Sequence, residues 1–149
     1  MAHSVIASHS PAVIWIAFQA RAAQYGGPVH ELSIALSLVE LASEEAGRVG
    51  NVRVEALHVR IGPLAGVVEE ALRFSFDLAA EGSPVEGARL EIERVPLTIR
   101  CSRCDAEREL ASAQHLRCPV CAEPAHEIVR GRELELRALE VTDRAAAHR

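Results

Sequence analysis

Four cysteines stand in two pairs, Cys101-Ser-Arg-Cys104 and Cys118-Pro-Val-Cys121, with 13 residues between the pairs. Each CxxC presents two thiolates from one tight turn, and two facing turns can complete a tetrahedron at Zn–S distances of about 2.3 Å. Pro119 stiffens the second turn. Four thiolates leave no open position for a catalytic water, so a zinc ion held by Cys101, Cys104, Cys118 and Cys121 is expected to be structural. A thioredoxin-like redox role would need one CxxC at the start of a helix in a βαβ setting, and neither pair has that context. The chain has no other cysteine, which leaves nothing for a scattered disulfide framework. His115 and His126 flank the knuckles and, with the thiolate set complete, are expected to face solvent.

At the mouth of the first predicted helix stands Val29-His30-Glu31. Taken alone, a His-Glu pair at the mouth of a helix signals only that Glu31 sits favourably near the positive end of the helix dipole. The remaining titratable groups do not assemble into a catalytic set. Glu69, Glu70 and Asp77 are spaced for a solvated helix face, with no carboxylate or histidine placed as an acid–base partner. His58 lies in an apolar strand and reads as a hydrogen-bonded core or edge residue. The sequence contains no glycine-rich phosphate loop. The protein is therefore expected to catalyse no reaction.

The elements that must position these groups follow from hydrophobic spacing. Leu32, Leu36, Val39, Ala42 and Ala46, widened by Ile34, Leu38 and Leu41, predict a helix from Glu31 to about Gly47, stopped by Gly47 and Gly50. Val52 to Ile61 predicts a strand whose apolar parity switches midway, which implies a bulge or burial on both faces. Val68, Leu72, Ser75 and Ala79, with Ala71, Phe74 and Leu78 beside them, predict a second helix over Val67 to Ala80. Ala88 to Val95 alternates as a half-exposed strand, and Glu133 to Val141 gives another. Leu97-Thr98-Ile99 and Glu127-Ile128-Val129 can pair as the strands of a zinc ribbon. The expected fold is α+β: two helices packed on a three-stranded sheet, with a zinc-ribbon module inserted before the last strand. Residues 29–95 and 131–149 then form the main domain and 96–130 the zinc-binding one.

Bulk properties narrow the class. A chain of 149 residues, 49% hydrophobic, can build its own core, so the metal need organise only a local module. The net charge of −5 comes without long charged blocks, whereas a phosphate backbone calls for a concentrated basic surface. The longest apolar run, Ala12 to Ala20, is too short to span a bilayer and lacks the basic flank of a signal peptide. A cytoplasmic location is expected.

Several segments taken together carry a resemblance. HELSIALSLVELA, then VRIGPLAGVVEEALRFSFDLAAEGSPVEGARLEIE, then CxxC…CPxC, then GRELELRALEV, in that order from about Val29 to Val141, resemble the HypA/HybF family of hydrogenase-maturation nickel metallochaperones. The resemblance implies delivery of Ni2+ for maturation of [NiFe]-hydrogenase, beside a structural Zn2+. It implies as partners the maturation GTPase HypB and the hydrogenase large-subunit precursor, with urease maturation proteins in some organisms. It also places nickel at His30 and Glu31, with Val29 where the family has its initiator methionine. Here the sequence departs from the pattern, because 28 residues precede the motif. Residues 1–28 are expected to be a non-native or disordered extension, since a GTG codon read internally as Val29 is translated as Met when it initiates. A free amine, the next amide nitrogen and the His30 imidazole would form fused chelate rings, with the Glu31 amide as a fourth nitrogen, a set suited to Ni(II).

The competing reading is a nucleic-acid-binding zinc ribbon, suggested by Arg100, Arg103, Arg108 and Arg117 around the knuckles. Against it, the module has no aromatic residue for base stacking, and Asp105, Glu107 and Glu109 dilute the positive field.

Overall fold

In a computed structural model of the chain, residues 31–145 are described in full and residues 4–7 and 14–21 by their backbone alone. Helix α1 (Glu31–Val49) buries Ile34, Ala35, Leu38, Val39, Ala42 and Ala46, a stripe of helical period facing the core. Gly47 remains inside the helix. The stop is Gly50, at φ +79°, whose N–H bonds to the Ala46 carbonyl at 3.1 Å, because a residue without Cβ takes the left-handed conformation at little cost. Strands β1 (Ser4–Ala7) and β2 (Ile14–Arg21) precede the helix; β3 (Val52–Ile61) follows it.

Helix α2 (Glu69–Ala80) connects β3 to β4 (Arg89–Arg94), and those two strands pair in parallel, which requires a crossover of this kind. The last strand, β8 (Leu134–Asp143), pairs antiparallel with the other edge of β3. The expected parity switch is a register shift between Val54 and Ala56 and again between His58 and Val59. This is how Ala56 and Leu57, neighbours in sequence, both become buried. Leu57, Val59, Leu136, Leu139 and Val141 from the sheet meet Ile34, Leu38, Leu72 and Phe76 from the helices in one core. The other side of the sheet carries ion pairs instead, Arg60–Glu93 and Arg89–Glu140 among them.

The expected sheet is thus present as β8-β3-β4, and it is longer than expected: β2 pairs with the free edge of β8, and β1 with β2, in the order β1-β2-β8-β3-β4. The run Ile14-Trp15-Ile16 is β-branched and aromatic, the composition that fits a pleated surface, and an open strand edge accepts such a partner.

A second sheet holds β5 (Leu97–Cys101), β6 (Ala106–Leu110) and β7 (Glu127–Arg130) in the order β6-β5-β7. Ile99 lies opposite Ile128, as the ribbon pairing predicts, and β6 adds a strand the sequence pattern did not single out. Its apolar core is separate, built from Leu97, Ile99, Leu110, Cys101 and Cys118. The chain passes between the two sheets at Val95-Pro96 and again at Gly131–Glu133, and the end of β3 packs on the second crossing, with the Gly62 N–H bonded to the Glu133 carbonyl and the Leu64 N–H to the Gly131 carbonyl, each at 2.8 Å.

Candidate metal centre

Each knuckle grows out of a hairpin. The first spans the turn between β5 and β6, where the Cys104 N–H lies 3.4 Å from the Cys101 sulfur. The second is closed by the Cys118 N–H on the Glu123 carbonyl and the Ala122 N–H on the Cys118 carbonyl. The residue after each knuckle, Asp105 and Ala122, has positive φ, +50° and +61°, a conformation that turns the chain sharply and aims backbone N–H groups inward. The four sulfurs lie within 4.8 Å of one another, with Cys101 to Cys121 at 3.5 Å and Cys104 to Cys118 at 3.9 Å. A tetrahedral ion with Zn–S bonds of about 2.3 Å needs sulfurs about 3.8 Å apart. The thiols are unpaired by disulfides, and Cys101 and Cys118 are buried. The donor set therefore fits a closed four-thiolate ion such as zinc, held by Cys101, Cys104, Cys118 and Cys121.

Backbone geometry has already prepared part of this charge. The Cys121 N–H and, against the cost of burial, the Val120 N–H and the Cys101 and Cys121 thiols lower the Cys118 pKa to about 6. At Cys121 the Glu123 N–H favours the thiolate, but burial and the three neighbouring sulfurs outweigh it, and its pKa is pushed up to about 12. One thiolate forms readily while the last proton is held until a cation replaces it. Arg108 on β6 reaches the same cluster, and its hydrogen bonds to Cys104 and Cys118 hold its guanidinium more firmly protonated. A cation here offsets the net double negative charge of a four-thiolate zinc site.

Three of the other arginines of the module are committed locally. Arg100 pairs with Asp105 and Arg130 with Glu107, and Arg117 donates to the Ala122 carbonyl at 3.2 Å. These contacts spread the positive charge that a nucleic-acid surface would concentrate. His115 and His126 are exposed, as the complete thiolate set implies. His58 is half-buried on β3, its Nε2 3.6 Å from Glu140 Oε2.

Of the second metal group, Val29 and His30 lie outside the described residues, and Glu31 opens α1. The Glu31 carboxylate accepts a hydrogen bond from the Val68 N–H at 3.1 Å. Val68 is the N-cap of α2 and has no side-chain cap of its own, so Glu31 supplies the acceptor that an N-terminal amide lacks. The starts of the two helices are thereby tied together, next to His30. Sequence spacing gave no sign of this contact, because its partners are 37 residues apart.

The family model described as "Hydrogenase/urease nickel incorporation, metallochaperone, hypA" matches residues 29–141. The chain belongs to the HypA family. Among its relatives, the hydrogenase maturation factor HypA of Chloroflexus aurantiacus is 54% identical over 112 residues, covering 75% of this chain and 98% of the relative. That of a Roseiflexus species is 51% identical over 115 residues, covering 77% and 94%. In fold, the chain resembles the solution structure of the Ni metallochaperone HypA from Helicobacter pylori, with a TM-score of 0.55, 24% identity and coverage of 76% and 98%. A further solution structure of a HypA protein gives a TM-score of 0.58 at 25% identity, covering 78% and 99%. The two helices, the four-cysteine module and the β8-β3-β4 sheet, apart from the last two residues of β8, lie within the matched span of this HypA-family chain. Residues 1–28 precede it. Among the described residues, no helix is long and apolar enough to cross a membrane.

Proposed function

We propose that this chain carries Ni(II) at residues 29–31 and delivers it, in the cytoplasm, for maturation of [NiFe]-hydrogenase, while the four cysteines hold a structural zinc ion. The family match beginning at Val29 supports the reading, with His30 and Glu31 taken, on the resemblance, as the counterparts of the nickel-binding start of the family's chains. The ligands would be the amine of residue 29, the amide and imidazole nitrogens of His30 and the amide of Glu31. A set of nitrogen donors in one plane suits Ni(II) and Cu(II). The partners on this reading are the maturation GTPase HypB and the hydrogenase large-subunit precursor, with urease maturation proteins as a second destination. The role is transfer of an ion and includes no turnover of a substrate.

The chemistry depends on residue 29 having a free amine, and we propose that translation starts there, with Met in place of Val29. With a residue acylating it, the nitrogen can no longer donate as an amine, and His30 alone binds weakly. Calorimetric nickel titration of a chain beginning with Met in place of Val29 is expected to show tight binding that strengthens from pH 6.5 to 8.5. That range brackets an α-amine pKa of about 7.7–8.0. The 149-residue chain and a His30→Ala variant of the shorter one are expected to bind far more weakly. Equal affinities for the two lengths would sink this assignment. The zinc part is tested separately by metal analysis of purified protein, where zinc at one equivalent is expected and Cys118→Ser loses it.

A further inference from the structure

The helical layer carries exposed apolar side chains. On α1, Leu32 and Leu36, one turn apart, are 50% and 53% exposed; on α2, Phe74 and Leu78, also one turn apart, are 68% and 50% exposed. Val68, at the start of α2, is 60% exposed. The helices pack beside each other on one side of the sheet, and their starts are joined through Glu31 and Val68. These five apolar side chains therefore project from one layer, and scattered single exposures would not produce such paired spacing.

The charge around them is one-sided. Helix α1 carries Glu31, Glu40, Glu44 and Glu45 against Arg48, and α2 carries Glu69, Glu70 and Asp77 against Arg73. The two helices together have a net charge of −5, equal to that of the whole chain. Both arginines are already engaged, Arg48 with Glu45 and Arg73 with Glu69 and the Leu90 carbonyl. Glu40, Glu44, Glu70 and Asp77 are exposed around the apolar residues.

We propose that this face is a docking surface for a basic, amphipathic helical segment of a partner protein, which lays its apolar side on Leu32, Leu36, Phe74 and Leu78 and its Arg or Lys side chains against the carboxylates. The sign of the charge decides among occupants. A second copy would bring a like-charged face against this one, and anionic lipid or nucleic acid would be repelled. Helix-in-groove recognition uses this combination of spaced apolar anchors and a charged rim. Leu32 is two residues from His30, so a docked partner would sit beside the metal-carrying end; that consequence alone rests on the nickel reading.

The test uses the full zinc-loaded chain without nickel, so that its outcome is independent of the nickel site. The probe is a synthetic amphipathic Leu/Arg peptide of about 18 residues, five helical turns, compared with a Leu/Glu peptide of the same pattern. In 15N-resolved NMR titrations the Leu/Arg peptide is expected to shift the amides of α1 and α2, and the Leu/Glu peptide to shift none. Phe74→Ser and Leu36→Ser are expected to weaken binding about tenfold each, while Val129→Ser, at a 37% exposed residue of β7, leaves it unchanged. Reversing charge with Glu40→Arg and Asp77→Arg, which takes the two helices from −5 to −1, is expected to remove most of the preference for the Leu/Arg peptide. If Phe74→Ser lowers the unfolding temperature, Leu36→Ser and the charge reversal decide. Shifts confined to the cysteine module, equal binding of both peptides, indifference to these substitutions, or self-association of the chain through Phe74 would each overturn the proposal.

Discussion

Replacing Gly62 with alanine tests how the two sheets are joined. A Cβ on Gly62 would fall 2.2 Å from both the carbonyl carbon and oxygen of Gly131 and 2.7 Å from Glu133 Oε2. The first two are backbone atoms that cannot swing aside, so the strands must part by about an ångström to reach ordinary contact. Two hydrogen bonds span this gap, Gly62 N–H to the Glu133 carbonyl and Leu64 N–H to the Gly131 carbonyl at 2.8 Å, and beside them Gly131 N–H bonds to Glu133 Oε2 within its own segment at 2.7 Å. Overpacking costs roughly 1–3 kcal/mol, and each loosened bond adds up to about 1 kcal/mol. Against this, alanine restricts the unfolded chain and returns about 0.4–1 kcal/mol. The net expectation is a loss of about 3 kcal/mol, or an unfolding temperature lower by about 10 °C for a chain of this size. Urea and thermal unfolding of the zinc-loaded protein measure it. Gly47→Ala is the control, since Gly47 lies in α1 and a Cβ there would meet nothing within 4 Å; alanine at that position is expected to add about 0.5–1 kcal/mol. A Gly62→Ala protein as stable as the parent would refute the argument that this contact fixes the joint.

Three further outcomes follow from the same geometry. Removing the metal with a strong chelator is expected to abolish amide-exchange protection across residues 97–130 while the Leu57, Leu72 and Phe76 core keeps its own, because the two cores share no buried residue; loss of protection throughout would contradict this. Zinc uptake at pH 7 is expected to release fewer than four protons, because Cys118, with a pKa of about 6, is already largely ionised; calorimetry in buffers of different ionisation enthalpy counts them, and a release of four would be inconsistent. Arg94, against a burial cost and with help from Arg73, holds the Glu69 carboxyl below its ordinary value of 4.5, so its stabilisation is complete above that pH and fades as pH falls through the lower folded-state value. The stability difference between the parent and Glu69→Gln is therefore expected to shrink on acidification below about pH 4.5, and a difference that grows there would reverse the sign argued here.

The four-cysteine centre was legible because its information is local: each CxxC fixes its own turn, and two such turns fix a tetrahedron. The helices and the β8-β3-β4 strands were legible from period. Where the period misled, the reason was width. Leu32, Leu36, Phe74 and Leu78 read as part of the buried face, yet the core takes Ile34, Ala35, Leu38, Val39 and Ala42 on α1 and Leu72, Phe76 and Ala80 on α2. A leucine on a helix flank has the same letter whether a neighbour covers it or not, so only packing separates the two cases. β6 escaped notice because its alternation of Ala106, Arg108 and Leu110 with Glu107 and Glu109 is short and half-polar. Arg108 then proved to point toward the sulfurs, which a list of exposed arginines could not reveal. The Glu31–Val68 contact and the pairing of β2 with β8 are long-range, and no local pattern encodes them.

On the proposed reading, the two ions differ in how they could be released. An ion among four thiolates, two of them buried, is closed on every side and leaves only if β5 and the two knuckles open together. That suits an ion which shapes the module and is not passed on. An ion at residues 29–31 is held from one side by the end of a helix, and its grip on the fold runs through Glu31, whose carboxylate also fastens the start of α2. Pulling on that end therefore loads the same helical layer whose outward face carries the exposed leucines, Phe74 and the negative charge. A partner that binds this layer would alter the Glu31–Val68 contact directly, so docking and nickel release would be coupled through one hydrogen bond. Glu31→Gln, which keeps an acceptor at that position, should preserve the coupling, whereas Glu31→Ala should remove it while leaving the backbone nitrogen donors in place.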